Sequence, residues 1–289
     1  MISPPSSTRR ALVVGADGLV GRTLSEHLRA HAIEVTETTR RNDTIGPQRV
    51  ILDLGQSIAR WEPPQTVETA YICAAATQIK YCEDNVEETI KINVSNMLEL
   101  VKKLISKNTF TLCLSTSRAC QIPGRPLPPD QYTQQKIAAE RALLALGDRV
   151  AIVRLTKVFA ADTPMVKQWQ DSLARGQVIH PFSDMTIAPL SAEFVAQALQ
   201  RIGDLKMSGV TNLSASRAIS YADLTHHIAR KIGASEDLVQ PTTCAAAGLS
   251  PEVTGAASIL ETARMEGELG LPAPDPFDEI DKTFSFQRR

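Results

Sequence analysis

The chain has 289 residues, room for one large or two modest domains. With 43% hydrophobic and 22% charged residues it can build a core and a hydrated surface, which excludes global disorder. The 31 Lys and Arg nearly cancel the 32 Asp and Glu, and the formal net charge of −1 excludes a sequence-independent grip on nucleic acid or an anionic membrane as the main activity.

Taken in chain order, residues 1–8 read as a disordered tail of Ser and Pro. Residues 10–15 predict a buried strand, and 19–30 a helix in which Val20, Leu24 and Leu28 recur on one face. Further strands are predicted at 33–38, 50–54 and 70–75. A long helix follows over 86–106, with Val94, Met97, Val101 and Leu104 on one face, then a strand at 110–115, a helix at 131–146 and a strand at 150–155. Continuous apolar strands separated by amphipathic helices imply a parallel sheet covered on both faces, the doubly wound α/β pattern. Beyond residue 160 the rhythm loosens. Helices are predicted at 164–175, 192–202, 221–232 (with Ser220 as N-cap) and 258–268, and a strand at 209–214.

No apolar run reaches the roughly 18 residues of a membrane span. The segment ALVVGADGLVG after Arg9 and Arg10 imitates an export signal, but Gly15, Asp17 and Gly18 interrupt it. Five scattered cysteines without a C-x-x-C pair read as free thiols in a reducing cytoplasm. The five histidines form no ligand pattern, so no metal is expected.

Two constellations carry chemistry. Gly15, Gly18 and Gly21 fall at the junction of the first strand and the first helix, where glycines let the backbone approach a pyrophosphate. The free helix N–H groups, those of Leu19 and Val20 included, and the helix dipole then favour the anion. Alternatively the same glycines only pack helix on sheet. Tyr132 and Lys136, four apart, share one helix face. An ammonium beside a phenol favours the phenolate and moves its pKa toward working range, although exposed helices carry such pairs routinely. Ser115, Thr116 and Ser117 end the fifth strand, at the sheet edge where ligands bind, and a hydroxyl there can bond a substrate carbonyl.

The G-x-x-G-x-x-G turn, the strand end LSTS, Tyr132-x-x-x-Lys136 and Asn93 in IKINVSNMLELV occur in the order found in extended short-chain dehydrogenases/reductases, which the chain resembles over most of its length. The stretch from Asp184 through Pro189-Leu190-Ser191 to Ala196 is similar to the dTDP-4-dehydrorhamnose reductase branch. The resemblance implies a Rossmann-type dinucleotide-binding domain over 9–160 and a smaller substrate lobe over 161–289. It makes Tyr132 the general acid/base and Lys136 the residue that holds the nicotinamide ribose and lowers the Tyr132 pKa. Thr116, or Ser117 in its stead, would meet the substrate carbonyl, and Asn93 would anchor Lys136. Ala74, Ala75 and Ala76 would lie beneath the cofactor. Asp53, with Leu54, would approach the adenine; Asp53 reads equally as a loop-starting Asp.

The chain also departs from the pattern. No Asp-Glu pair follows Thr116, which disfavours a sugar 4,6-dehydratase, and the QIPGRPLPPD connection is short and proline-rich. Lys157 stands where epimerases of the family often carry Asn. It is either a surface lysine or a cation for a substrate carboxylate or phosphate.

The resemblance implies a cytoplasmic enzyme that reduces a keto group on a nucleotide-activated sugar. An epimerase with transiently reduced cofactor and a non-catalytic dinucleotide sensor are the alternatives. It also implies a homodimer packed through the helices at 86–106 and 131–146, with neither nucleic acid nor membrane as partner. At the end of the second strand, where an acid would accept the ribose 2′-hydroxyl of NAD(H), stands Thr39, followed by Arg40 and Arg41. Those arginines suit a 2′-phosphate, so NADP(H) is expected ahead of NAD(H), carried mainly by Arg40. Glu37 is the missing acid if the register slips by two.

Overall fold

The computed structural model describes residues 9–121, 129–249 and 258–286. The N-terminal tail at 1–8 and most of the proline-rich connection lie outside the described residues. The chain forms two compact units. One draws on Met1–Ala119, Pro129–Arg154 and Glu193–Thr211, the other on Cys120–Pro128, Leu155–Ala192 and Asn212–Arg289.

The first unit is built on β1 (Arg10–Val14), α1 (Leu19–Ala30), β2 (Glu34–Thr39), β3 (Arg49–Ile51) and β4 (Thr69–Ile72). The short helices α2 (Ile79–Asp84) and α3 (Val86–Ile90) follow, then α4 (Asn96–Ser106), β5 (Phe110–Thr116), α5 (Gln131–Leu144) and β6 (Val150–Leu155). The chain continues through β7 (Val158–Phe159), α6 (Pro164–Ala174), β8 (Thr186–Ile187), β9 (Leu190–Ser191), α7 (Ala192–Leu205) and β10 (Gly209–Leu213). It ends with β11 (Ile219–Ser220), α8 (Tyr221–Ile232), α9 (Ala263–Gly267) and α10 (Pro276–Thr283).

A seven-stranded sheet has the order β10-β6-β5-β4-β1-β2-β3, and the pairings of β1 with β2 and β4, β2 with β3, and β4 with β5 are parallel. The order reverses between β1 and β4, so the connections that leave their C-terminal ends run to opposite sides of the sheet, the ligand position of doubly wound sheets. Leu12, Val14, Ile72, Leu100, Leu104 and Ile152 pack the core of this unit. The central strands β1, β4 and β6 are largely apolar on both faces because helices cover both, whereas β2 buries Thr36, Glu37, Thr38 and Thr39.

Three differences from the sequence reading have physical causes. The helix α1 buries Gly21 with Leu24 and Leu28 and leaves Val20 half-buried, because Gly21 presses on the preceding turn. The long helix expected over 86–106 is interrupted by a π-turn at Lys91–Ser95, which brings Asn93 to full burial and leaves Val94 partly exposed. The expected single break at residue 160 gives way to a return of the chain. Residues 193–211 rejoin the first unit because α7 packs there. His27 bonds Gln200 at 2.6 Å, Lys206 reaches the Glu68 carbonyl at 3.2 Å, and Gly203 lies so close that a Cβ would come 2.4 Å from the Tyr71 hydroxyl.

The second unit has its own core of Phe159, Leu173, Ile187, Leu224, Ile228, Ile280 and Phe284. Two small sheets, β7 with β9 and β11 with β8, hold it together. Ser220 caps α8 in a reciprocal capping box with Asp223. The helix expected over 258–268 shortens to α9, and α10 has no counterpart in the sequence reading. No described helix is long and apolar enough to cross a membrane. Among the described residues no group of three His, Cys, Asp or Glu is assembled to hold a metal, and all five cysteines are free.

Candidate active site

The glycine turn crosses the end of β2, where Gly15 N–H donates to Thr38 Oγ1 at 3.1 Å. Two of its glycines are demanded by the fold. Gly15 has φ +88°, and a Cβ there would lie 2.7 Å from Ala74 N; at Gly21 a Cβ would lie 2.3 Å from the Gly15 carbonyl oxygen. Gly18 is different. Its backbone is extended (φ −79°, ψ 165°) and a Cβ would find its nearest neighbour at 3.5 Å, an ordinary contact. Gly18 is the N-cap of α1, no side chain caps the helix, and its first turn holds no acid. The packing therefore does not require glycine at 18. The amides at Leu19 and Val20 have no side-chain cap, and such donors suit a pyrophosphate, so the residues present suit a dinucleotide.

At the end of β2, Thr39 is buried and Arg40 and Arg41 follow it. Arg41 Nη2 donates to Asp17 Oδ1 at 2.8 Å, whereas Arg40 is exposed and enters no ion pair or hydrogen bond among the described residues. Glu37 is not a spare acid. It is buried and paired with Arg29 and Arg49, each at 2.8 Å. The Asp17 carboxylate, which the sequence reading passed over, accepts from Thr39 Oγ1 at 2.6 Å and pairs with Arg41 and Arg49. Burial pushes its carboxyl up, but the Thr39 hydroxyl and the two guanidiniums outweigh it, and Asp17 titrates below the usual carboxylate range.

Asp53 is half-buried and its Oδ1 accepts from Gly55 N–H at 2.9 Å, a loop-starting turn. The Leu54 side chain is in the core, so only its backbone faces outward, and its carbonyl is held by Asn96 Nδ2 at 2.7 Å. Ala74, Ala75 and Ala76 are partly exposed beyond β4. Asn93 clamps that strand end: its Oδ1 accepts from Ala76 N–H at 2.9 Å, and its Nδ2 donates to the Ala76 carbonyl at 3.0 Å and to Gln135 Oε1 at 2.8 Å. Asn93 thus holds Ala76 and Gln135, not Lys136, because the π-turn aims it at β4.

Asp130 caps α5 by accepting from Thr133 N–H, which sets Tyr132 and Lys136 on the buried side of the helix. The Tyr132 phenol interacts with the side chain of Thr116 at the end of β5. Burial pushes the phenol up to about 12, with Thr116 and the Arg118 guanidinium working the other way. Arg118 is thus a cation that acts on Tyr132. The Lys136 side chain runs instead to the Leu114 carbonyl, 2.6 Å from Nζ, and burial depresses its ammonium pKa. Arg118 also donates to Thr133 Oγ1 at 3.1 Å and pairs with Asp130, while Ser117, partly exposed, opens the short turn after β5. One turn beyond Lys136, Glu140 takes the Ser115 hydroxyl and pairs with Arg154 at 2.6 Å. Arg118 and Glu140 were legible only as charges beside a motif. Their partners lie 12 and 14 residues away.

Lys157 belongs to the second unit, where it is exposed and its Nζ stands 5.8 Å from the centre of the Phe159 ring.

Comparison with known proteins identifies the family. The family model described as RmlD substrate binding domain matches residues 9–284. A probable low-salt glycan biosynthesis reductase of Haloferax volcanii is 25% identical over 93% of this chain and 95% of its own length. Among solved structures, the dTDP-4-dehydrorhamnose reductase of Clostridium acetobutylicum superposes with a TM-score of 0.79 at 20% identity, covering 95% of this chain and 98% of that one. That of Bacillus anthracis, solved in complex with NADP, superposes with a TM-score of 0.77 at 18% identity, covering 97% and 99%. With the family model spanning nearly its whole length, the chain belongs to the RmlD substrate-binding-domain family and is an NAD(P)-dependent oxidoreductase of the extended short-chain dehydrogenase/reductase type.

Proposed function

We propose that the protein reduces a keto group on a nucleotide-activated sugar, with NADP(H) preferred to NAD(H) and Tyr132 as the proton donor. The observation that carries the reading is the buried Tyr132 phenol beside the Thr116 side chain at the C-terminal end of β5. A phenol titrating near 12 stays protonated at neutral pH and can give its proton to an oxygen that becomes basic as it is reduced. Thr116, with Ser117 beside it, orients the carbonyl oxygen. Lys136, fixed on the Leu114 carbonyl, presents an ammonium for the ribose hydroxyls. Asn93 keeps the Ala74–Ala76 backbone in place through both polar atoms of Ala76. When bound, the nicotinamide dinucleotide supplies the hydride. Gly15, Gly18 and Gly21 with the α1 amides at Leu19 and Val20 would hold its pyrophosphate, Asp53 and the Leu54 backbone its adenine, and Arg40 a 2′-phosphate.

The names of similar proteins favour a reductase, and the absence of an Asp-Glu pair after Thr116 fits one. A panel of keto-sugar nucleotides incubated with NADPH decides between the readings. Stoichiometric loss of the reduced-cofactor absorbance is the expected result. Isomerised sugar without that loss would make the protein an epimerase, and binding without either a sensor.

The exposed Lys157 is the candidate for an anionic group of the substrate. Its replacement in Lys157→Met should raise KM by roughly 10- to 100-fold with cofactor affinity unchanged. The five free thiols suit a cytoplasmic location, which fractionation tests. Sedimentation tests the homodimer.

A further inference from the structure

We propose that Asp17 sets the degree of cofactor discrimination, its carboxylate standing as an internal competitor to the 2′-phosphate for the guanidiniums of Arg41 and Arg49. The inference rests on the dinucleotide reading of the site and assigns a role to a residue which that reading leaves idle.

At the end of β2 three guanidiniums (Arg29, Arg41 and Arg49) pair with two carboxylates (Asp17 and Glu37), and Arg40 follows Thr39 outside these pairs, so these six groups carry a formal excess of two positive charges. That excess suits a phosphate monoester, which carries roughly −1.5 to −2 at neutral pH. Glu37 is 7% exposed and takes Arg29 and one edge of Arg49, which makes that pairing part of the fold. Asp17 is not buried in this way: its side chain is 30% exposed and it takes Arg41 and the second edge of Arg49. It also receives the hydroxyl of Thr39, the residue at the very position where an acid would meet a ribose 2′-hydroxyl. The carboxylate missing from β2 is thus delivered from the glycine turn, 22 residues earlier in the chain.

Two consequences follow from its position. A 2′-hydroxyl can donate to the Asp17 carboxylate without disturbing any ion pair. A 2′-phosphate finds Arg40 unpaired but must share Arg41 and Arg49 with Asp17 and lie near a like charge. Asp17 therefore moderates the preference for NADP(H) that Arg40 confers, and the glycine turn and the basic rim are coupled through one side chain.

The test is calorimetric and independent of turnover. NADPH, NADH, 2′,5′-ADP and 5′-ADP are titrated into the wild type, Asp17→Asn and Asp17→Ser at low and high salt, with melting curves to verify that each variant is folded. Asparagine keeps the acceptor for Thr39 and removes the charge. The expected result is a rise of about tenfold or more in the NADPH-to-NADH affinity ratio, paralleled by 2′,5′-ADP against 5′-ADP. The rise should shrink at high salt, since the rim is partly exposed, and should be lost when Arg41→Ala is added to Asp17→Asn. An unchanged ratio in both folded variants, or a shift toward NADH, overturns the role of Asp17 while leaving the dinucleotide site in place. A wild type that binds none of the four ligands overturns the site reading itself, and the proposal with it.

Discussion

Two regions of the first unit handle charge in opposite ways. At the end of β2, Asp17 and Glu37 are matched with Arg29, Arg41 and Arg49 in a partly exposed network, and pairing holds the Asp17 carboxyl low. Between β5 and α5, Tyr132 and Lys136 are buried, and desolvation displaces both toward their neutral forms. The first arrangement gives specificity: its energies are modest, divided among several partners and screened by salt. The second prepares a group for chemistry, because a desolvated proton donor responds strongly to whatever charge develops beside it. Under the proposed function, binding discrimination and catalysis are tuned on one sheet by different physics.

The largest expected effect breaks the buried side of this contrast. Tyr132→Phe should reduce turnover by roughly 10²- to 10⁴-fold with cofactor affinity nearly unchanged. Full activity in steady-state assays would remove Tyr132 from the mechanism. Lys136→Ala should differ in kind, weakening cofactor binding as well as turnover.

The same burial has a signature in stability. A folded-state pKa raised from 10 to about 12 means that the Tyr132 contribution is intact below pH 10 and is lost as pH rises through 12. At about 1.4 kcal/mol per pH unit, the wild type should lose about 2–3 kcal/mol across that window that Tyr132→Phe does not. Denaturant titrations at pH 9 and about pH 11, midway through the window, should show about 1.4 kcal/mol of that loss in the wild type alone; parallel losses would contradict the role of burial.

The glycine turn separates fold from ligand. Gly21→Ala drives a Cβ into the Gly15 carbonyl and should cost about 1–3 kcal/mol of stability. Gly18→Ala meets no such contact, so its melting temperature should stay near the wild type while cofactor affinity falls by about tenfold or more. Retained affinity in that variant would mean the space before α1 is not a phosphate site.

The smallest change lies on the rim. Arg40→Ala should weaken NADPH by about tenfold and leave NADH unaltered, and the difference should fade as salt is raised. Equal affinity of the wild type for the two cofactors would end the argument for Arg40.

Much of this was legible in the sequence because it is local. Strand and helix periods place the sheet, three glycines mark the turn after β1, and a spacing of four puts Tyr132 and Lys136 on one helix face. The Ser220 cap is equally local, since the capping box spans three residues. What failed was the assignment of partners. Asn93 was recognisable as a residue of the site, yet a π-turn directs it to Ala76. Lys136 was expected to act on Tyr132; its side chain runs to the Leu114 carbonyl, and the Arg118 guanidinium also acts on the phenol.

The amino-acid order by itself therefore determined the α/β class, the glycine turn and the place of Tyr132 and Lys136 on one helix, because each depends on residues close together in the chain. Only the tertiary structure decided which charges meet. Asp17 finds Arg49 across 32 residues, Arg154 closes on Glu140 from the next strand, and α7 returns from residue 193 to pack against Tyr71 and His27. Such pairings are set by strand order and register, which bring distant segments side by side, and no local pattern encodes which carboxylate a given guanidinium will face.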